Sequence, residues 1–422
     1  MKAEKNKTGS WHSPKQLWIV IFSGILFLVS ACVCAGMTNT VYPFFANLRG
    51  WDYSALVMMS GIAMLISVIT GLLFGQLVVK VGFKPVMIAG LLCAAVVVSI
   101  LGSTTSLGVF IVCIILTNVF ATAYQNVGVS ALVNTWFPRT KGIVLGWSTM
   151  GIILSDILWT PNITKPMAAI GTGTTFLIVG AVFVVLAIIC ALFVKSTPEQ
   201  AGTYPDGSSE GIEDLQASLK AFKEYKSPWT LGKVLKTKQT WQVTVGLGLF
   251  WLIAICYISQ IVPRCLSLGH SEAFANTVMA VGGIFGLIGS WFFGFLDQKY
   301  GTKKASQIYG VWVFVMFILT LFHAVSPAFI WISQAGIMAC MGGICNLIPS
   351  MVGTLWGRWD FAAANRVINP FTLAFCAIGI FMGGIFLNVG LGYNVMYAVC
   401  AVLAVIGFII ITTLKEDMLG KK

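Results

Sequence analysis

Asp156 stands in the stretch GIILSDILWTP, with apolar residues on both sides. It is the one acid placed well inside a run able to cross a bilayer. It lies about 15 residues from the run's inner end, or roughly 22 Å along a helix rising 1.5 Å per residue. An intramembrane carboxylate marks a proton relay or an ion pair. As a relay Asp156 would couple proton movement to another event; as a fixed partner it would hold a cation or a helix's polar groups. A second candidate is a polar face. Asn118, Thr122, Gln125 and Asn126 are offset by 4, 7 and 8 residues, which gathers them on one side of a helix. Such a face either lines a water-filled path or bonds neighbouring helices. Asn39 and Tyr42, with Ser30 and Thr38, form a similar group toward the end of the first apolar run. Tyr257, Gln260 and Arg264 take the matching place in the seventh. Arg264 is the nearest cation for an anionic ligand; an arginine reaching for the membrane interface is the plainer reading.

The elements that must hold these residues follow from composition. Of 422 residues, 58% are hydrophobic and 9% are charged, against about 25% charged in an ordinary soluble domain. A surface that apolar needs lipid as its solvent. Twelve segments are long enough to span: 17–44, 54–79, 85–104, 107–135, 142–164, 173–194, 240–262, 272–296, 305–324, 328–355, 364–388 and 392–414. Helices, which bond their own backbone, satisfy such segments; their uniform apolarity is unlike barrel strands. The net charge of +12 is a topology signal. With both termini cytoplasmic, 23 of the 26 basic residues face the inside, and only Arg49, Lys165 and Arg264 lie outside. This distribution speaks against nucleic acid and for anionic lipid. The eleven cysteines sit mostly in apolar segments without a Cys-x-x-Cys spacing, and His12, His270 and His323 show no ligand pattern, so no metal and no cofactor is expected. Neither a Gly-x-x-x-x-Gly-Lys-[Ser/Thr] loop nor a His-Glu-x-x-His motif occurs, which removes nucleotide-driven transport and zinc hydrolysis. LVSAC at 28–32 fits a lipoprotein cleavage pattern, but the first segment is read as a retained helix.

An internal repeat organises the segments. A shift of about 220 residues brings Pro43 onto Pro263, Gly75 and Gly82 onto Gly294 and Gly301, and Asn126 and Trp136 onto Asn346 and Trp356. The shared offset divides the chain into a tail (1–16), a six-helix bundle (17–194), a linker (195–239), a second bundle (240–414) and a tail (415–422). Two six-helix halves about an axis along the membrane normal are a transporter plan. The linker's GIEDLQASLKAFKEYK places Ile212, Leu215, Leu219 and Phe222 on one face, an amphipathic helix expected on the inner membrane surface.

GQLVVKVGFKP (75–85) and GFLDQKYGTKK (294–304) resemble the loop motif of the major facilitator superfamily. NTWFPRTKGIVLGWSTMG (134–151), STPEQAGTYPDG (196–207) and VLKTKQTWQV (234–243) are similar to the oxalate–formate antiporter and monocarboxylate porter group within it. The resemblance implies an all-α membrane protein with the major facilitator fold, not an enzyme, in the plasma membrane of a bacterium, and monomeric. It implies inner gates at Lys80, Lys84, Arg139, Lys141, Asp297 and Lys299. Two departures stand out. Where the loop motif has Asp, this chain has Val79 and Gln298; Asp297 sits one position early and is expected to latch the gate with Lys299. Where the antiporter group places two cations that recognise a dianion, this chain has Ser290 and a position near Cys376, so oxalate is not expected. The resulting reading is a secondary transporter of a small organic monoanion, by proton symport or anion exchange, with Asn39, Tyr42, Asn118, Thr122, Gln125, Asn126, Tyr257, Gln260, Arg264 and Asn346 at the substrate and Asp156 at the proton. Proton-linked efflux of an apolar or amphipathic compound and a non-transporting membrane sensor are the alternatives.

Overall fold

The computed structural model describes residues 13–159, 162–209 and 214–420. Among them nine helices are long and apolar enough to cross a membrane, and Lys141–Ser155 is a shorter apolar one. Their sides carry bare Leu, Ile, Val and Phe side chains, as on Thr172–Phe193, where Leu177, Leu192 and Phe193 are exposed. Apolar all round, such helices are stable only in lipid. One helix, Pro327–Asn388, has 62 residues and is broken at Gly357, where φ is 65° and ψ −179°. Straight, it would run about 93 Å, three times a bilayer core; the break makes it two crossings. With Lys141–Leu158 and Thr302–Thr320 counted, the elements among the described residues are consistent with twelve segments.

The repeat is visible in the backbone. Tyr53–Val81 and Phe83–Ser103 are separated by Gly82 alone, with φ 85° and ψ 163°. Glu272–Tyr300 and Thr302–Thr320 are separated by Gly301 alone, with φ 85° and ψ 156°. A positive φ admits glycine without steric cost, so the same corner is built twice with the same residue. The expected polar loops between these segments are single residues. Lys80, Lys84, Lys299, Lys303 and Lys304 lie within the helices on either side of these corners.

Three further differences from the sequence reading concern the site. The first segment is broken at Cys34 (φ −109°, ψ −87°) into Pro14–Val33 and Ala35–Arg49. The fourth holds a π-helical stretch, Thr122–Val129, between Leu107–Ala121 and Ser130–Trp136. The fifth ends at Leu158, short of the expected 164. In the linker, the amphipathic helix is Leu215–Glu224 and Ile212 lies outside the described residues. Phe222 packs on Trp359, ring centroids 4.9 Å apart, and Arg358 covers its face at 4.7 Å. The helix thus docks on the protein beside the Gly357 break rather than resting on lipid alone.

Between the halves, Lys141–Leu158 packs along Glu272–Tyr300, and Tyr53–Val81 along the 358–388 stretch.

Candidate functional site

The polar face of the fourth segment falls largely in its π-helical stretch. Bonds to i+5 widen the turn, and such bulges recur at functional sites. The widened turn separates the four side chains by role. Asn118 donates to Ile114 O at 2.9 Å and Thr122 to Asn118 O at 3.1 Å, so both serve their own helix. Gln125 accepts from Ser30 Oγ at 2.6 Å, tying the fourth segment to the first just before its break at Cys34. Asn126 is half-buried and makes no hydrogen bond to a described residue. Gln125 and Asn126 are therefore the members whose side chains do not bond back onto their own helix. Tyr42 is buried in an aromatic cluster, 6.2 Å edge-on to Phe110, and takes no part in this group. The side chains of Asn39 and Asp156 lie outside the described residues; the backbone of Asp156 is in the last turn of Lys141–Leu158.

In the second half, Tyr257 is fully buried with its hydroxyl 3.3 Å from Ser333 Oγ. Ser333 Oγ is also 2.8 Å from His323 Nε2. His323, which shows no ligand pattern in the sequence, is thus part of a buried polar cluster, and no local motif announced it. Arg264 is 9% exposed; its Nη2 donates to Asn394 Oδ1 at 3.1 Å and its guanidinium lies 5.0 Å from the Tyr393 ring. Gln260, half-buried, bonds weakly to Ser259 and packs by Gly383. Asn346 is elsewhere: its Nδ2 donates to Ser290 O at 2.9 Å at the contact between halves. Ser290 Oγ bonds across to Gly146 O at 2.7 Å and lies 2.6 Å from Thr149 Oγ1. Ser290 and Cys376, the positions matched to the antiporter group's cations, are both buried. Among the described residues no cluster of His, Cys, Asp and Glu could hold a metal.

The two repeat glycines lie where the halves touch. A Cβ on Gly75 would lie 2.4 Å from Arg366 Cβ, and one on Gly294 2.8 Å from Gly142 O and 3.0 Å from Gly146 Cα. Each half thus lays the same glycine against the other half's helix. Asp297 is buried beside Gly142, where a Cβ would fall 2.3 Å from its Oδ2, and it accepts from Thr302 Oγ1 at 2.7 Å. Gly142 is the second residue of its helix, and a carboxylate at a helix N-terminus is favoured by the dipole. Lys141 donates to Pro138 O at 3.2 Å and sits close enough to Asp297 for their charges to interact.

Other expected gate residues serve elsewhere. Lys299 lies over Tyr300 and Phe295, at 5.2 and 5.6 Å, and is not the partner of Asp297. Lys84 donates to Ala191 O of its own half at 2.8 Å, closing the C-terminal carbonyls of Thr172–Phe193 rather than the opposite half. Lys80 is exposed. At Arg139 the backbone N–H donates to Asp206 Oδ2 at 3.1 Å. Sequence reasoning missed the cations that bridge the halves. Arg366 donates to Gln76 Oε1 and to Trp229 O, both at 2.8 Å, and Arg358 Nη2 lies 2.8 Å from both oxygens of Glu199. Asp360 accepts from Tyr225 and Ser227 of the linker.

The family model of the major facilitator superfamily matches residues 24–364. The chain belongs to the major facilitator superfamily. It is a multi-pass membrane protein. Over 282 residues it is 23% identical to an oxalate:formate antiporter of Oxalobacter formigenes, covering 66% of this chain and 63% of that protein, less than two thirds of its length. It is 24% identical over 410 residues to the MFS-type transporter pynF of Aspergillus niger, 89% and 83% of the two chains. It is 24% identical over 316 residues to the sialic acid transporter NanX of Escherichia coli, 73% and 71%. Among solved structures, FucP in the outward conformation superposes with TM-score 0.70 at 14% identity, covering 93% of this chain and 97% of that one. The human organic anion transporter MFSD10 (TETRAN) gives 0.68 at 12%, covering 95% and 100%. These likenesses show the fold.

The superfamily's loop motif bears on the same contact. The sequence reading puts the missing acid at Val79, so that Val79→Asp would restore a latch. In the structure Val79 is exposed, and the repeat partner of buried Asp297 is buried Val78. We therefore expect Val79→Asp to leave the inner closure unchanged, and Val78→Asp to shift it. Labelling of a cysteine introduced at the inner end, compared between the two variants, checks this; equal effects would refute the Val78 assignment.

Proposed function

We propose that the chain moves a small organic monoanion by alternating access, as proton symport or anion exchange, in a bacterial inner membrane. The observation that carries alternating access is the pair of repeat contacts, Gly75 on Arg366 and Gly294 on Gly142 and Gly146. Small residues let helices meet at backbone distance in the membrane, and a contact made by both halves about one axis is the geometry a rocking transporter breaks and remakes. The anion class is supported by two relatives whose names give oxalate and formate, and sialic acid, as what they carry. Ser290 and Cys376 support a single charge, since no second cation stands at either position. Gln125 and Asn126 are the residues proposed to give the anion its polar contacts.

Uptake into proteoliposomes tests the reading. Labelled formate, acetate and pyruvate should include at least one saturable substrate, accelerated by an inward proton gradient or by the same anion inside. Flux of an apolar cation instead would favour efflux, and no flux of either would favour the sensor.

Asp156 remains the proposed proton carrier. Asp156→Asn keeps shape and hydrogen bonding but removes titration. Proton-driven accumulation should disappear while exchange between substrate pools survives. Uphill transport with unchanged pH dependence in Asp156→Asn would leave the residue a structural role only.

A further inference from the structure

Arg264 poses an electrostatic problem that its known contacts do not solve. It is 9% exposed, and among the described residues no carboxylate touches it. Its partners are neutral: Asn394 Oδ1 at 3.1 Å and the face of Tyr393 at 5.0 Å. A guanidinium offers five N–H donors, and its Nε has no acceptor. Burying a charge without a counter-charge is costly, and folds retain such a charge where something pairs with it.

The surroundings supply further unfilled polar positions. Among the described residues the hydroxyl of Tyr397, fully buried, has no partner. Neither does Nδ1 of His323, which is 1% exposed. The two rings are 5.7 Å apart, and the Arg264 charge is near enough to act on both. Ser333 Oγ donates to Ile330 O at 3.2 Å, so His323 Nε2 donates to Ser333 and its Nδ1 is left as an acceptor. The cluster therefore holds one fixed positive charge, a spare N–H, a spare O–H and a spare acceptor. All come from the second half alone: Arg264 from Lys238–Ser267, His323 from the turn after Thr302–Thr320, and Tyr397 from Gly392–Thr412.

We propose that this cluster is a binding site for a small monovalent anion of halide or short-carboxylate chemistry, held by Arg264 Nε and the Tyr397 hydroxyl. It is separate from Gln125 and Asn126 in the first half. A carboxylate would offer its second oxygen to the remaining guanidinium donors, and a protonated carboxyl could donate to His323 Nδ1. The proposal rests on the anion reading above only for the ligand's link to transport.

Thermal unfolding of the purified full chain tests it, with sodium chloride, sodium formate and sodium gluconate at constant ionic strength. A ligand of the folded state raises the melting temperature as its concentration passes Kd. Chloride or formate should give a saturable rise and bulky gluconate none. Arg264→Gln and Tyr397→Phe should each abolish the chloride rise and leave only the part of the formate rise that belongs to the path, whereas Gln125→Ala should keep the chloride rise. Should Arg264→Gln fail to fold, Tyr397→Phe and Asn394→Ala decide. A rise with both chloride and formate assigns the shared chemistry; a rise with formate alone assigns a carboxylate, and with chloride alone a halide. No saturable rise in the unaltered chain overturns the proposal. So does a chloride rise that survives Arg264→Gln and Tyr397→Phe but is lost in Gln125→Ala; that result would leave anion transport standing and move the anion to the path between the halves.

Discussion

Replacing Gly75 by leucine should hold the inner end open. A Cβ there would lie 2.4 Å from Arg366 Cβ and 2.7 Å from its Cα, so the 53–81 and 358–388 helices must separate before the side chain is even complete. Overpacking of a close contact costs about 1–3 kcal/mol. In the alternating-access reading this contact parts when the inner end opens, so the cost falls on the inner-closed state. At 1.4 kcal/mol per tenfold, the inner-closed population should drop by roughly 5- to 150-fold, and transport with it. Gly294→Leu should act alike through Gly142 and Gly146. Gly61 lies on the same helix as Gly75 with no atom within 4 Å of its would-be Cβ, so Gly61→Leu is the matched control. Spin labels at exposed Lys80 and Lys299, one from each half, report the result as a distance. It should lengthen in Gly75→Leu and Gly294→Leu and stay in Gly61→Leu. An unchanged distance with normal transport in Gly75→Leu would place the closure elsewhere.

The glycines show how far the sequence carries and where it stops. The offset between Gly75, Gly82 and Gly294, Gly301 is legible because a backbone corner at positive φ and a helix contact at backbone distance each demand one residue type. Long apolar runs are legible for the same reason: lipid leaves few choices. The cations were not. Lys80, Lys84 and Lys299 look like gate residues because they flank the motif, yet Lys84 closes its own half's helix and Lys299 lies over Phe295 and Tyr300. Arg358 and Arg366 look like two more inside charges, yet they reach Glu199, Gln76 and the carbonyl of Trp229. Where a long side chain ends is set by tertiary packing, which local spacing does not encode. The π-helical turn at Thr122–Val129 is a stronger case. It changes which of four polar residues face the same way, and the 3.6-residue pattern that gathered them assumes it absent.

Arg358 should prove the most sensitive charge on the inner face. Its Nη2 lies 2.8 Å from both Glu199 oxygens, with the two side chains 8% and 0% exposed. The segment holding Glu199 is tied to the first half: Trp136 Nε1 donates to Lys195 O at 3.0 Å, Gln16 Nε2 to Thr203 Oγ1 at 3.0 Å, and Thr140 Oγ1 to Asp206 Oδ1 at 2.6 Å. Arg358 belongs to the second half, one residue past the Gly357 break. The ion pair therefore joins the halves through the linker and must part when the inner side opens. Removing one member of a buried pair costs about 3–5 kcal/mol because the other charge is stranded. Arg358→Ala should release the segment around Glu199, and with it the docked helix Leu215–Glu224, whose Phe222 stacks under the same guanidinium. Protease cleavage between residues 196 and 224 should rise at least tenfold, and transport should fall. The double change Glu199→Gln with Arg358→Met removes both charges while keeping volume and the cover over Phe222, so it should restore protection. Continued protease sensitivity in the double variant would mean that packing by the arginine, not the charge pair, holds the linker down. Full protection in Arg358→Ala would mean that the linker is held by Asp360 and Arg366 alone.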